Sequence, residues 1–88
     1  MKLTMHTDPG HGWLEMDRKL LVRLCVGHLI SKYSYQRGEK VYLEEDCDMP
    51  RAMDALKAAG INVTLIEANT ERDSRVRGYD SYQFNGYI

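Results

Sequence analysis

The sequence predicts an α+β fold of the split βαβ (ferredoxin-like) type, a four-stranded antiparallel sheet with both helices on one face. Three observations carry this. Lys2–His6, Lys40–Leu43 and Ile61–Ile66 have the apolar patterning of strands. Arg18–Val26 and Met49–Ala59 space their apolar residues as helices do, and a glycine follows each. The resulting order is strand, helix, strand, strand, helix, strand.

Each element has its own warrant. Lys2, Thr4 and His6 alternate with Leu3 and Met5, a short half-buried strand. Thr7–Gly12 is a loop, with Pro9 fixing its own φ and Gly10 and Gly12 free to adopt unusual angles. Trp13–Met16 leads out of it to Asp17, a candidate cap for the first helix. That helix sets Leu20, Leu21, Leu24 and Cys25 on one side, which makes Cys25 a small buried thiol, and Gly27 stops it. His28–Gln36 is predicted as a strand. Arg37-Gly38-Glu39 turns it into Lys40–Leu43 as a hairpin. Glu44–Asp48 is an acidic turn in which Asp48 caps a second helix, Pro50 lies near its start, and Gly60 ends it. Residues 1–68 form one domain, and 69–88 are a tail rich in arginine and tyrosine.

Composition narrows the function. The chain has 88 residues, 43% hydrophobic and 28% charged, enough for one modest core that self-association would help. A net charge of −1 gives no general attraction to nucleic acid or anionic membrane, and direct nucleic-acid binding is not expected. No apolar run reaches the ~20 residues a bilayer requires. Cys25 and Cys47 lack metal-ligand spacing, and a reduced, cytoplasmic setting follows.

The chemistry concentrates in Asp8-Pro9-Gly10-His11-Gly12-Trp13-Leu14. Glycines would let backbone approach a ligand, His11 and Arg37 would meet phosphate, and Trp13, Tyr33, Tyr35 or Tyr42 would stack on a planar group. Asp8, Gly10, His11, Gly12, Trp13, Tyr33, Tyr35 and Arg37 are therefore the candidate ligand-binding residues. Glu44, Glu45 and Asp46 suit a basic surface on a partner, and Tyr79 and Tyr82 in the tail are residue types that favour interfaces. Arg72, Arg75 and Arg77 with Tyr79, Tyr82, Phe84 and Tyr87 leave the tail three readings: docking onto a second copy or a partner, which is favoured, a loose terminus, or stacking on nucleobases and gripping phosphate. His6, Asp8 and His11 offer an alternative, two imidazoles and a carboxylate around a divalent metal in a small hydrolase, with Asp46 or Glu44 adding a ligand if the acidic turn lies nearby. No nucleophile motif and no phosphate-cradling loop occurs, and no cofactor is expected.

Three stretches taken together, Asp8–Leu14, Tyr33-Ser34-Tyr35-Gln36 with Gly38, and Tyr42–Asp48, resemble a group of small uncharacterised proteins of bacteriophages and plasmids. The resemblance runs to about Thr70 and does not include the residues after Gly78. It implies no catalytic residue. It implies an accessory protein acting stoichiometrically on host machinery, notably defence systems, inside the host cytoplasm. The expectation is a homo-oligomeric binder rather than an enzyme, sequestering a nucleotide-like signal or masking a host protein.

Overall fold

A computed structural model describes residues 1–84. Strands β1 (Lys2–Thr7), β2 (Gly12–Asp17), β3 (Tyr35–Arg37), β4 (Lys40–Glu44), β5 (Thr64–Asn69) and β6 (Asp80–Ser81) form one sheet in the order β5-β1-β2-β4-β3-β6. Helices α1 (Arg18–Arg23) and α2 (Met49–Ala58) complete the α+β fold. The expected four-stranded antiparallel sheet is corrected to a six-stranded mixed one, because β5 pairs parallel to β1 while the other strand pairs are antiparallel.

Two strands escaped the sequence reading for physical reasons. β2 lies between β1 and β4 with Leu14 and Met16 on one covered face and Trp13 on the other. Leu14 and Met16 alternate with Glu15 and Asp17, but Trp13 beside Leu14 breaks the pattern at its start and leaves only a short alternating run. β6 is only two residues long, held by Tyr35–Ser81 and Gln36–Asp80 pairing. Conversely, the strand expected over His28–Gln36 shrinks to Tyr35–Arg37. The chain before it makes a 3-10 turn at Gly27–Leu29 and wraps over a buried carboxylate. Asp48, 1% exposed, accepts from Ser31 N (3.0 Å), Ser31 Oγ (2.7 Å) and Ser34 Oγ.

That use of Asp48 explains its behaviour at α2. It occupies the cap position, but its side chain makes no cap bond. Glu44 serves the turn instead, its Oε2 accepting from Asp46 N (3.1 Å) and Cys47 N (2.8 Å). Asp17 likewise makes no cap bond to α1 and pairs with Lys40 Nζ at 2.7 Å. α1 ends at Arg23, earlier than expected, and Cys25 takes the left-handed position at φ 56°. Bonds from Cys25 N to Val22 O and from Val26 N to Leu21 O close the helix end there, leaving Cys25 exposed rather than buried. α2 ends the same way at Gly60, φ 76°, a conformation glycine adopts without penalty.

The sheet has two covered faces. Leu3, Met5, Leu14, Met16, Val41 and Leu43 pack on Leu21 of α1 and on Ala52 and Leu56 of α2. The opposite face carries Trp13 and Tyr42, sealed by Val76 with Tyr35 and Tyr79. The segment after Asn69 thus contributes to both cores, Val76 to one and Tyr82 to the other. Among the described residues, no helix is long and apolar enough to cross a membrane.

Candidate functional site

The loop between β1 and β2 is built on the Asp8 carboxylate. Its Oδ1 accepts from Gly10 N (2.9 Å) and His11 N (3.0 Å), and Asp8 N donates to His11 O at 2.9 Å. Oδ2 accepts from Ser74 N (2.9 Å) and Arg77 Nε (2.6 Å), and Arg77 Nη2 reaches Oδ1 at 2.9 Å. A bidentate guanidinium and three backbone donors leave the Asp8 side chain fully covered and hold its pKa far below the carboxylate range, Arg77 contributing most. Asp8 is therefore a structural hub and has no free atom for a ligand.

The loop glycines serve the same closure. A Cβ on Gly10 would lie 2.8 Å from Arg77 Nη2, and one on Gly12 would lie 2.7 Å from Met5 Cε and 2.9 Å from Glu45 Oε2. The space expected for a ligand is occupied by the chain's own side chains. Because a carboxylate held below its unfolded pKa stabilises the fold above that pKa and loses this as pH falls, Asp8→Asn has a defined signature. Its stability deficit in urea melts is expected to be full at neutral pH and to shrink as pH drops below about 4.

Beside this loop opens a cleft of about 370 Å³. His11, Trp13, Tyr33 and Tyr35 line one part of it, and Glu44, Asp46, Cys47 and Arg77 the rest. Strand register explains the meeting, since Trp13 of β2 pairs with Glu44 of β4, and Tyr35 of β3 is one strand further along. Trp13 is only 2% exposed, with Arg77 Cζ 5.1 Å over its ring and Tyr35 edge-on at 6.2 Å. It forms the floor rather than a free stacking platform. Tyr33, 64% exposed, is the open aromatic wall.

Charge in the cleft is predominantly negative. Glu44 is 8% exposed, anchored through Oε2, and its Oε1 lies 3.6 Å from His11 Nδ1. Asp46 is exposed. Arg77 is the cation there, and Asp8 already answers it. The Cys47 thiol is pushed up chiefly by its hydrogen bond to Glu44, with desolvation and further carboxylates adding to it, so it stays protonated and weakly nucleophilic.

The other expected site residues lie elsewhere. Arg37 stacks over Tyr79 with Cζ 5.0 Å from the ring, in a separate hollow with Arg75 and Gly78. Tyr79 is half-buried against Tyr42 at 5.0 Å. Tyr82 is 6% exposed and donates its hydroxyl to Gly27 O at 2.6 Å, so it belongs to the core and not to a partner surface. Tyr87 lies outside the described residues. His6, Asp8 and His11 do not converge, because His6 Nε2 pairs with Glu15 Oε1 at 2.8 Å and Asp8 is held by Arg77. His11 instead joins Glu44 and Asp46, the three offering ligand atoms within 4.8 Å of one another. Residues that sequence reasoning did not place here are Cys47 and Arg77, the latter 69 positions from its Asp8 partner. Alternation along Lys40–Glu44 was the available signal for Glu44, since it sets that residue on the face of Tyr42.

No family model, curated protein or solved structure matches the chain.

Proposed function

We propose that this chain is a non-enzymatic protein that acts by stoichiometric binding, its aromatic cleft receiving a basic side chain from a partner protein. The supporting observation is the cleft's charge: Glu44 and Asp46 face it, while its one guanidinium is engaged by Asp8. A lysine or arginine entering beside Tyr33 and Tyr35 meets carboxylates and aromatic faces, both attractive to a cation. A nucleotide's phosphates would meet the same carboxylates, and Arg37, the cation expected for them, is in another hollow. Of the two expected modes, masking a protein is favoured over sequestering a nucleotide-like signal. The resemblance to phage and plasmid proteins supplies the context, a host defence protein as target and the host cytoplasm as location. The chain acts as a homo-oligomer, which its small size and exposed Leu65 and Ile66 support.

One observation favours a second reading. His11, Glu44 and Asp46 have the spacing of three ligands about one divalent ion, which would leave positions open for water in a metal-dependent hydrolase.

Trp13 is the chain's single tryptophan and lines the cleft, so its emission reports occupancy. Titration with a short arginine-rich peptide is expected to give a saturable change, weakened about tenfold by Asp46→Asn. ATP is expected to give none. Saturation by ATP but not by peptide would return the reading to nucleotide sequestration. Saturation by Zn²⁺ that His11→Ala abolishes would establish the second.

A further inference from the structure

Among the described residues, nothing covers the far edge of the sheet. β5 is exposed at all six positions, Leu65 at 39% and Ile66 at 48%. Proteins usually guard such an edge with lysine, proline, a bulge or extreme shortness. Thr64–Asn69 contains no lysine, arginine or proline, and Glu67 is its single charge. The sheet's other edge, β6, has two residues and little to offer another strand.

Backbone parity restricts what can pair with β5. Thr64 N donates to Met1 O (2.8 Å) and Thr70 N to Thr7 O (2.9 Å), so the even-numbered residues turn their N–H and C=O groups toward β1. Leu65, Glu67 and Asn69 therefore present theirs outward. In an antiparallel pair with an identical strand, hydrogen-bonded partners must both come from this outward set. Only registers in which the paired numbers sum to an even value satisfy that. Centring the two-fold axis on Leu65 leaves little of the strand overlapped. Centring it on Glu67 sets two carboxylates opposite each other. Centring it on Ile66 pairs Leu65 with Glu67 twice, overlaps Thr64–Ala68, and buries Ile66 against its own copy in the close, non-hydrogen-bonded position.

We infer that a second copy of this chain pairs with β5 about a two-fold axis at Ile66, joining two six-stranded sheets into one. This rests on the self-association proposed above and names its surface. A β5-to-β6 contact would offer two residues and would not close, whereas the β5-to-β5 contact is isologous and ends at a dimer.

The test places single cysteines in a chain carrying Cys25→Ser and Cys47→Ser. Across the proposed axis the Ile66 Cα atoms lie about 4.5 Å apart, within disulfide reach, while Leu65 and Glu67 lie about 8 Å from their own copies. Mild oxidation is expected to cross-link Ile66→Cys almost fully, and Leu65→Cys and Glu67→Cys at least fivefold less. Native mass spectrometry should find a dimer for the natural chain and a monomer for Ile66→Lys, whose circular dichroism stays unchanged. A natural chain that is monomeric at every concentration overturns both this inference and the self-association. An oligomer that survives Ile66→Lys, or that cross-links preferentially through Leu65→Cys or Glu67→Cys, overturns the β5 axis while self-association stands.

Discussion

A chain ending at Asn69 is expected to lose cooperative unfolding. The truncation removes Val76 and Tyr82, 2% and 6% exposed, one from each core. Burying each stabilises by roughly 1.5–3 kcal/mol. It also strips Arg77 from Asp8 and from the face of Trp13, and takes β6 from β3. The combined loss, of order 5 kcal/mol, is comparable to the whole stability of a small domain, about 5–15 kcal/mol. Thermal melts followed by near-ultraviolet circular dichroism check it, with Trp13 as the main chromophore. A sharp transition close to that of the full chain would show instead that the residues up to Asn69 fold alone.

The second large effect is at Asp48. Replacement by alanine leaves Ser31 N, Ser31 Oγ and Ser34 Oγ without their acceptor in a site 1% exposed. Hydrogen bonds to a charged acceptor contribute about 1.5–3 kcal/mol each, and these three share one carboxylate, so a loss of about 3–5 kcal/mol is expected. Asp48→Asn keeps one acceptor oxygen, which can serve both serine hydroxyls, and should cost less than the alanine variant. Urea midpoints measure both. The loss propagates to the cleft, because Ser34 Oγ also accepts from Glu44 N at 2.9 Å, and Glu44 is its buried wall. A deficit below about 1 kcal/mol for the alanine variant would mean that the segment from Gly27 to Ser34 is held by its apolar contacts alone.

What the sequence disclosed depended on whether the deciding interaction was local. α2 and its Gly60 end follow from apolar spacing and from the left-handed angle a glycine accepts, and both are in place. The Lys40–Glu44 strand shows itself by alternation because its two faces meet different surroundings. β2 has two covered faces as well, and its alternation of Leu14 and Met16 with Glu15 and Asp17 is masked by Trp13 standing next to Leu14. The segment from His28 to Ser34 has strand-like residues, but two serines that bond a distant carboxylate redirect it. At the site, His11, Trp13, Tyr33, Tyr35, Glu44 and Asp46 line one cleft. Asp8, Gly10 and Gly12 were recognised as special, but their purpose is to admit Arg77 and Glu45, and no local pattern identifies a partner 69 residues away.

The second neighbour of β1 in the sheet comes late in the chain. β1 waits for β5, and the Met1 amino group donates to Asn62 O at 3.0 Å across 61 positions. On the ribosome, then, the hairpin of β1 and β2 stays open on one side until β5 has been made. Closing so distant a pair carries its loop entropy before any packing returns it, which slows folding relative to a chain of local contacts. Until then, the backbone edge of β1 that β5 will pair with is open to other chains. Yield during rapid expression is accordingly expected to depend more on synthesis rate and chaperone supply than on the stability of the finished fold.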